Sequence, residues 1–188
     1  MEDKMKNPDI AAVADRLLAK AKVVAPPVPV LAIAKSLGVS VRFGPLPDDL
    51  SGFLVHEQDG TYIGVNSRHP KPRQMFTLAH ELGHFVLHPS ANFIDRKLIY
   101  FRNSRSAEAI DVKEMQANHF AADLLMPQRF VREFLKDKAV DLEDHEFLAD
   151  LAKRFGVSSQ ALTFRLVNLD LANQPQSGTR TSRIRTTR

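Results

Sequence analysis

The sequence of 188 residues has no cysteine and no tryptophan. Without thiols the chain cannot form disulfides, and it cannot use a cysteine as a nucleophile. Any zinc ion would have to be bound by histidine, aspartate or glutamate, because cysteine is the other common zinc ligand. A hydrophobic content of 44% is enough to fill the core of one domain of ordinary size.

Long hydrophobic runs are also missing. No stretch of about 18 apolar residues occurs, so the sequence predicts no membrane-spanning helix. The first ten residues, MEDKMKNPDI, are charged and lack the apolar segment of a secretory signal peptide. We therefore expect a soluble, cytoplasmic protein.

The net charge of +4 comes from the C-terminal end of the sequence. Residues 173–188, NQPQSGTRTSRIRTTR, contain four of the 26 Lys and Arg residues and none of the 22 acidic residues, so the rest of the chain holds 22 of each. The overall positive charge is therefore weak evidence for nucleic-acid binding by residues 1–172. Residues 173–188 are also poor in apolar residues, and we expect them to be disordered.

The N-terminal region predicts one amphipathic helix over residues 7–22. Asn7 is the predicted N-cap, and Pro8 suits the first helical turn. The apolar residues recur at helical spacing, which predicts that one face is buried. That face contains Ile10, Val13, Leu17 and Leu18.

The next region alternates between helix and strand. A short helix over 29–36 precedes a strand over 39–43. Residues 52–65 predict two strands joined by a turn around Asp59 and Gly60. The following helix, 73–88, has apolar residues on nearly all its faces, so we expect it to be central, ending at Pro89.

The second half of the sequence is predicted to be mainly helical. Residues 90–106 mix strand-type and turn-type residues and remain open between an irregular strand and a mobile loop. Two helices follow, over 107–127 and 128–137. Residues 144–171 then predict a helix, a Gly-Val-Ser turn and a second helix with Ser158 as its N-cap.

The central helix contains the motif HELGH, residues 80–84. Residues four apart on an α-helix differ by about 40° in direction and about 6 Å in height, so His80 and His84 can bind one ion together. Glu81 projects beside that ion, where its carboxylate can take a proton from water. Gly83 lowers helix propensity, which indicates that a neighbouring element needs room there. The motif therefore predicts a catalytic metal site.

A catalytic zinc site usually has three protein ligands, so a third ligand must be found. His88 is excluded, because it lies about 9 Å further along the helix axis than the ion. Glu114 is the strongest candidate: it shares a helix face with Ala117, Asn118 and Ala121, and the small alanines would let the two helices approach closely. Four weaker candidates remain, in the order Asp111, Glu108, Asp95 and His119.

The residues that would assist catalysis are less well defined by the sequence. A donor that stabilises the oxyanion is expected, and four residues remain open for this role: Tyr100, Tyr62, His119 and His88. The substrate is expected to pair, as an extended strand, with an edge of the 52–65 hairpin. In the segment 144–171, the second helix has one basic residue, Arg165, which favours packing or partner contact over DNA binding.

Several of these stretches together resemble the ImmA/IrrE family of metallo-endopeptidases. They are RQMFTLAHELGHFVLH, the later EMQANHFAADLLMP, and the preceding SGFLV and YIGVN, which together span residues from about 30 to 135. The resemblance implies an α+β fold: a zincin-like core of the gluzincin type with a small antiparallel sheet. It also implies one zinc ion per chain, bound by His80, His84 and Glu114, with Glu81 as the catalytic glutamate.

The resemblance also implies a domain organisation and a function. We expect a metallopeptidase domain over 1–136, a helical, helix-turn-helix-like segment over 137–172 and a basic tail over 173–188. Members of the family typically cleave or disable an Xre-type helix-turn-helix repressor encoded beside them, which derepresses genes of stress response or mobile-element transfer. The alternative is a non-catalytic binding protein on the same scaffold, acting as an antitoxin or anti-repressor. The oligomeric state is not indicated by the sequence.

Overall fold

The computed structural model describes residues 9–89, 92–96, 106–136 and 140–172, and within these ranges the chain forms seven helices and four strands. In chain order they are α1 (Ile10–Lys20), α2 (Val30–Ser36), β1 (Val39–Gly44), β2 (Leu50–Glu57), β3 (Gly60–Asn66), α3 (Lys71–Leu87), β4 (Phe93–Arg96), α4 (Ser106–Leu125), α5 (Gln128–Leu135), α6 (His145–Phe155) and α7 (Ser159–Asn168). With separate helices and one small sheet, the fold is of the α+β class, as predicted. None of these helices is both long enough and apolar enough to span a bilayer.

Helix α1 begins later than the sequence predicted. Its N-cap is Asp9, whose Oδ1 accepts a hydrogen bond from the backbone N–H of Ala12 at 3.1 Å, so the prediction of Asn7 as N-cap is wrong. Aspartate and asparagine are equally good N-caps, and the composition alone could not separate them. The predicted buried face is confirmed: Leu18 is fully buried, and the other three apolar residues pack against the core.

The four strands form one mixed sheet in the order β1-β3-β2-β4. Strand β1 is parallel to β3, whereas β2 is antiparallel to both β3 and β4. The predicted antiparallel sheet is therefore wrong at β1. The β2–β3 hairpin is present as predicted, but both of its strands are interior. Its edges are not available to a substrate, and the edges of the described sheet are β1 and β4.

Asn66, at the end of β3, anchors the loop that carries the chain from β1 across to β2. It is fully buried, and its Nδ2 donates to the carbonyl oxygens of Leu50 at 2.9 Å and Pro47 at 3.2 Å. Its Oδ1 accepts from the backbone N–H of Leu46 at 3.3 Å. A buried side-chain amide satisfied by backbone groups fixes a loop in one conformation. This loop allows β1 to pair in parallel with β3.

The sheet has one covered face and one open face, because successive side chains on a strand point to opposite sides. Leu54 of β2 and its register partner Ile63 of β3 are fully buried on the side covered by helices. Phe53 and Tyr62 lie on the opposite side, where they line a shallow cleft together with Arg42. Helix α3 packs on the covered face and is buried along its middle, as predicted for a central helix.

The C-terminal helices α6 and α7 pack into the same hydrophobic core as the rest of the chain. Ser158 is the N-cap of α7, as predicted, and its Oγ accepts from the backbone N–H of Ala161 at 3.2 Å. Arg165 is 8% exposed; its Nη2 lies 2.6 Å from Oδ1 of Asp123, and its Nε donates to the carbonyl oxygen of Met126 at 3.0 Å. The single basic residue of this helix therefore joins α7 to α4 and is not presented to solvent. A domain boundary near residue 137 stays a prediction.

Candidate metal centre

Helix α3 places the two histidines of the HELGH motif side by side in the interior. His80 is 4% exposed and His84 is 1% exposed. Their Nε2 atoms lie 3.0 Å apart, and their rings are nearly perpendicular at 84°. This is the arrangement expected for residues one helical turn apart whose rings converge on one point.

Helix α4 brings Glu114 to the same point. Its Oε2 lies 3.1 Å from Nε2 of His80, and its Oε1 lies 3.2 Å from Nε2 of His84. The side chain of Glu114 is 27% exposed, so one side of the cluster opens to solvent. The three residues predicted as metal ligands are thus adjacent, with an accessible side where a substrate could enter.

The geometry of this cluster fits a zinc ion. In a tetrahedral zinc site with bonds of about 2.0–2.1 Å, neighbouring ligand atoms lie about 3.3 Å apart. The separations of 3.0, 3.1 and 3.2 Å between the three residues are close to that spacing. Two imidazoles and one carboxylate are also the ligand types of several catalytic zinc sites.

Asn118, one helical turn after Glu114 on α4, orients His80. The Oδ1 of Asn118 lies 3.0 Å from Nδ1 of His80. A proton on Nδ1 then donates to this oxygen and leaves Nε2, which faces His84 and Glu114, with its lone pair available. The hydrogen bond holds His80 in the tautomer that binds a metal ion.

The charge state of Glu114 also suits a metal ligand. Burial by itself raises the pKa of this carboxyl group. In the absence of metal, hydrogen bonds donated by Nε2–H of His80 and His84, and the positive charge of rings that carry this proton, outweigh burial and lower the pKa to about 2. A metal ligand must be deprotonated, and Glu114 meets this condition without metal at any ordinary pH. The carboxylate is available as an anion before the ion arrives.

Close packing of α3 against α4 makes this geometry possible. A Cβ atom placed on Gly83 would lie 2.9 Å from Cδ1 of Phe120 and 3.2 Å from Cα of Ala117. Both neighbours are fully buried. The expectation that Gly83 leaves room for another element, and that alanines on α4 allow a close approach, is confirmed. Larger residues there would move Glu114 away from the histidines.

Glu81 is fully buried next to strand β2. A Cβ atom on Gly52 would lie 2.5 Å from Cγ2 of Thr77 and 3.4 Å from Oε1 of Glu81. Gly52 therefore lets the strand pass directly beside the Glu81 carboxylate. Glu81 directly follows His80 in the helix, and its position beside a bound ion stays a prediction from the spacing.

The other candidate residues are distributed differently. His88 lies one turn beyond His84, with ring centroids 5.9 Å apart, outside the three-residue cluster. Burial, followed by the charge of His84, lowers the pKa of His88. His119 lies next to Asn118 and is exposed at a neighbouring groove. The side chains of Asp95, Glu108, Asp111 and Tyr100 lie outside the part of the chain that is described.

Tyr62 is on the wrong side of the sheet to assist catalysis. Its hydroxyl donates to Oδ2 of Asp59 at 2.7 Å, at the tip of the hairpin. Its side chain belongs to the open face, whereas Gly52, which approaches Glu81, belongs to the face covered by α3. The sequence could not decide this, because the strand register determines the face.

Two residues that shape the site were not assigned a role from the sequence. Asn118 was noted in the sequence only because it shares a helix face with Glu114. Residues four apart on a helix are neighbours, and a metal-binding histidine usually has a polar partner, so Asn118 could have been predicted to contact a ligand. Gly52 gave the weaker signal of a glycine inside a strand, which indicates close approach of another element.

Comparisons with known proteins show the family to which this chain belongs. The family Peptidase_M78, the IrrE N-terminal-like domain, matches residues 34–167. Immunity region protein 2 of Bacillus phage phi105 is 31% identical over 135 residues, which are 72% of this chain and 78% of that protein. The radiation response metalloprotease IrrE of Deinococcus radiodurans is 32% identical over 129 residues, which are 69% of this chain and 37% of that protein.

A solved structure of a Mycobacterium tuberculosis transcriptional regulator has a similar fold, with a TM-score of 0.59 and 19% identity. The similarity covers 90% of this chain and 48% of that chain. At this identity the likeness concerns the fold alone.

Proposed function

The chain belongs to the Peptidase_M78 family of IrrE N-terminal-like domains, and from this we propose that it is a zinc-dependent endopeptidase that cleaves an Xre-type helix-turn-helix repressor. One observation carries the proposal. Ligand atoms of His80, His84 and Glu114 converge within 3.2 Å of one another, and Glu81, the residue after His80 in α3, is fully buried. A purely structural metal site would not need a carboxylate in the position of Glu81.

His80, His84 and Glu114 would hold the zinc ion. When bound, zinc lowers the pKa of water and polarises a peptide carbonyl group. Asn118 contributes by accepting the hydrogen bond of Nδ1 of His80, which orients the ring so that Nε2 faces the cluster. The partly exposed side of Glu114 is where a peptide would reach these residues.

Glu81 would be the general base and then the general acid. Its carboxylate would remove a proton from the attacking water and deliver that proton to the nitrogen of the leaving amine. Strand β2 passes close to the Glu81 carboxylate at Gly52, which would limit the movement of this side chain between the two steps. Restricting a catalytic group in this way reduces the entropy lost in reaching the transition state.

The substrate strand would pair with β4 and not with the hairpin. Strand β4 has one partner, β2, among the described strands, so its other side can accept hydrogen bonds. Gly52 is the register partner of Asp95 on β4 and also the residue that approaches Glu81. An extended peptide added to this edge would run past the proposed catalytic residues.

The repressor is proposed as the substrate because of the family to which this chain belongs. An enzyme that cleaves such a repressor would act in the cytoplasm and would release genes from repression, for example under stress. The alternative is a protein that disables its partner by binding alone. The two functions differ in whether a peptide bond is broken.

Cleavage by the purified protein tests the proposal. The zinc-loaded chain is incubated with the Xre-type repressor encoded beside it, and the products are analysed by mass spectrometry. We expect a single cut that is abolished by a chelator and reduced about 100-fold or more by Glu81→Gln. A stable complex with an intact repressor would instead support the binding protein.

A further inference from the structure

A groove lies beside the metal centre, between the N-terminal half of α3, helix α4 and helix α7. Its volume is about 630 Å³. This is within the range of about 300–1,000 Å³ that is typical of ligand pockets, and it exceeds the volume of one side chain. Its lining includes Arg73 and Phe76 of α3, Asn118, Ala122 and Met126 in or just after α4, and Phe164 of α7.

The groove adjoins the proposed metal ligand His80 through Asn118. This residue lines the groove and also accepts the hydrogen bond from His80. Helix α4 therefore contributes to both: Glu114 reaches the metal centre, and one turn later Asn118 and His119 begin the groove wall. The metal centre and the groove are thus about one helical turn apart along α4, which is close enough for one polypeptide to contact both.

The lining is mainly apolar, with positive charge. Phe76, Ala122 and Met126 form part of the wall, and Phe164 of α7 projects from the other side with 62% of its surface exposed. A large apolar residue that is this exposed and faces a groove is typical of an interaction site. None of the lining residues is acidic, and Arg73 adds a cation. The guanidinium of Arg165 is already neutralised by Asp123.

We infer that this groove binds an apolar segment of the polypeptide being cleaved, with large hydrophobic side chains next to at least one acidic residue. The inference rests on the proposed function and names what would determine its specificity. The apolar lining and Phe164 account for the hydrophobic side chains, and Arg73 accounts for the acidic residue. On this inference helix α7 contacts a polypeptide and not DNA. The burial of Arg165, its one basic residue, is consistent with that, because a buried arginine cannot contact phosphate groups.

Peptide selection tests the inference without requiring cleavage. The zinc-loaded Glu81→Gln variant is used to select from a phage-displayed library of random peptides, and the recovered sequences are synthesised with a fluorescent label. We expect the recovered peptides to share large apolar residues and an acidic residue. Their affinity, measured by fluorescence polarisation, is expected to fall about tenfold or more with Phe164→Asp, because a buried aromatic contact is replaced by a charge.

Val167→Asp is the matched control. Val167 lies on the same helix and is 50% exposed, but it does not line the groove. We expect this variant to leave the affinity unchanged within about twofold, since surface substitutions away from an interface have small effects. A second pair tests the charge: Arg73→Glu should weaken binding, and replacing the acidic residue of the peptide by lysine should restore it.

Three results would overturn the inference. One is that no peptide is recovered, and another is that Phe164→Asp and Val167→Asp change affinity equally. The third is that the chain dimerises in sedimentation experiments and that Phe164→Asp alone makes it monomeric, which would make the groove a contact between two copies. Repressor cleavage is measured separately. Binding that depends on Phe164 without any cleavage would contradict the proposed function and retain the groove as a docking site.

Discussion

Oδ1 of Asn118 lies 3.0 Å from Nδ1 of His80, on the opposite side of the ring from the nitrogen that faces His84 and Glu114. This contact links helix α4 to helix α3 a second time, in addition to Glu114. One helix therefore supplies both a proposed ligand and the group that orients another.

Asn118→Ala should weaken zinc binding while the fold is retained. Removing the partner of a ligating histidine typically lowers metal affinity about 10–100-fold. Competition with a chromophoric chelator measures the affinity, and circular dichroism reports the fold. Asn118→Asp keeps an acceptor oxygen and should restore most of the affinity. Equal losses in both variants would mean that Asn118 has a packing role only.

Glu114→Gln should weaken the acid dependence of the free energy of unfolding in the metal-free protein. The folded pKa of Glu114 is about 2, below its ordinary value of 4.5, so the ionised carboxylate stabilises the fold above pH 4.5. That contribution is lost as the pH falls from 4.5 through about 2. Urea unfolding of the wild type and the variant, both without metal, should show a difference that shrinks over this range. A difference independent of pH would contradict the depressed pKa.

Gly83→Ala should destabilise the protein although alanine is the better helix former. The added methyl group would meet Phe120 and the backbone of Ala117, and overpacking of this kind costs about 1–3 kcal/mol. Zinc affinity should fall as well, because α4 carries Glu114. Gly44→Ala is the control, since a Cβ atom there has no neighbour within 4 Å. Chemical denaturation and chelator competition measure the two effects.

Arg165→Met should lower the free energy of unfolding by about 3 kcal/mol or more, because it leaves Asp123 without its buried cation. The same substitution combined with Asp123→Leu should be less harmful, since no unpaired charge remains. Urea unfolding of the wild type, the two single variants and the double variant forms a thermodynamic cycle. Additive effects would show that the contact between α7 and α4 is energetically unimportant.

The parts of the fold that depend on local patterns could be predicted from the sequence. Helix α3, its end before Pro89 and the position of Ser158 as an N-cap follow from spacing and capping residues that act over one or two turns. The convergence of His80 and His84 could be predicted for the same reason, because a spacing of four residues on one helix brings the two side chains to the same face. Glu114 required a further step, the small residues Ala117 and Ala121 on its helix.

The remaining features depend on contacts between distant segments. The parallel pairing of β1 with β3 depends on Asn66 and its bonds to a loop sixteen to twenty residues earlier, which no local pattern shows. The position of Tyr62 away from the site follows from that sheet, as does the interior position of both strands of the hairpin. The buried pairing of Arg165 with Asp123 likewise joins residues that are far apart in the sequence.

Anomalous X-ray scattering from crystals grown with zinc tests the central claim most directly. Data collected on both sides of the zinc absorption edge locate the ion without reference to any assumed ligand. We predict one strong peak per chain, within about 2.0–2.2 Å of Nε2 of His80, Nε2 of His84 and a carboxylate oxygen of Glu114. Zinc bound elsewhere, or no peak between these three residues at saturating zinc, would contradict the account.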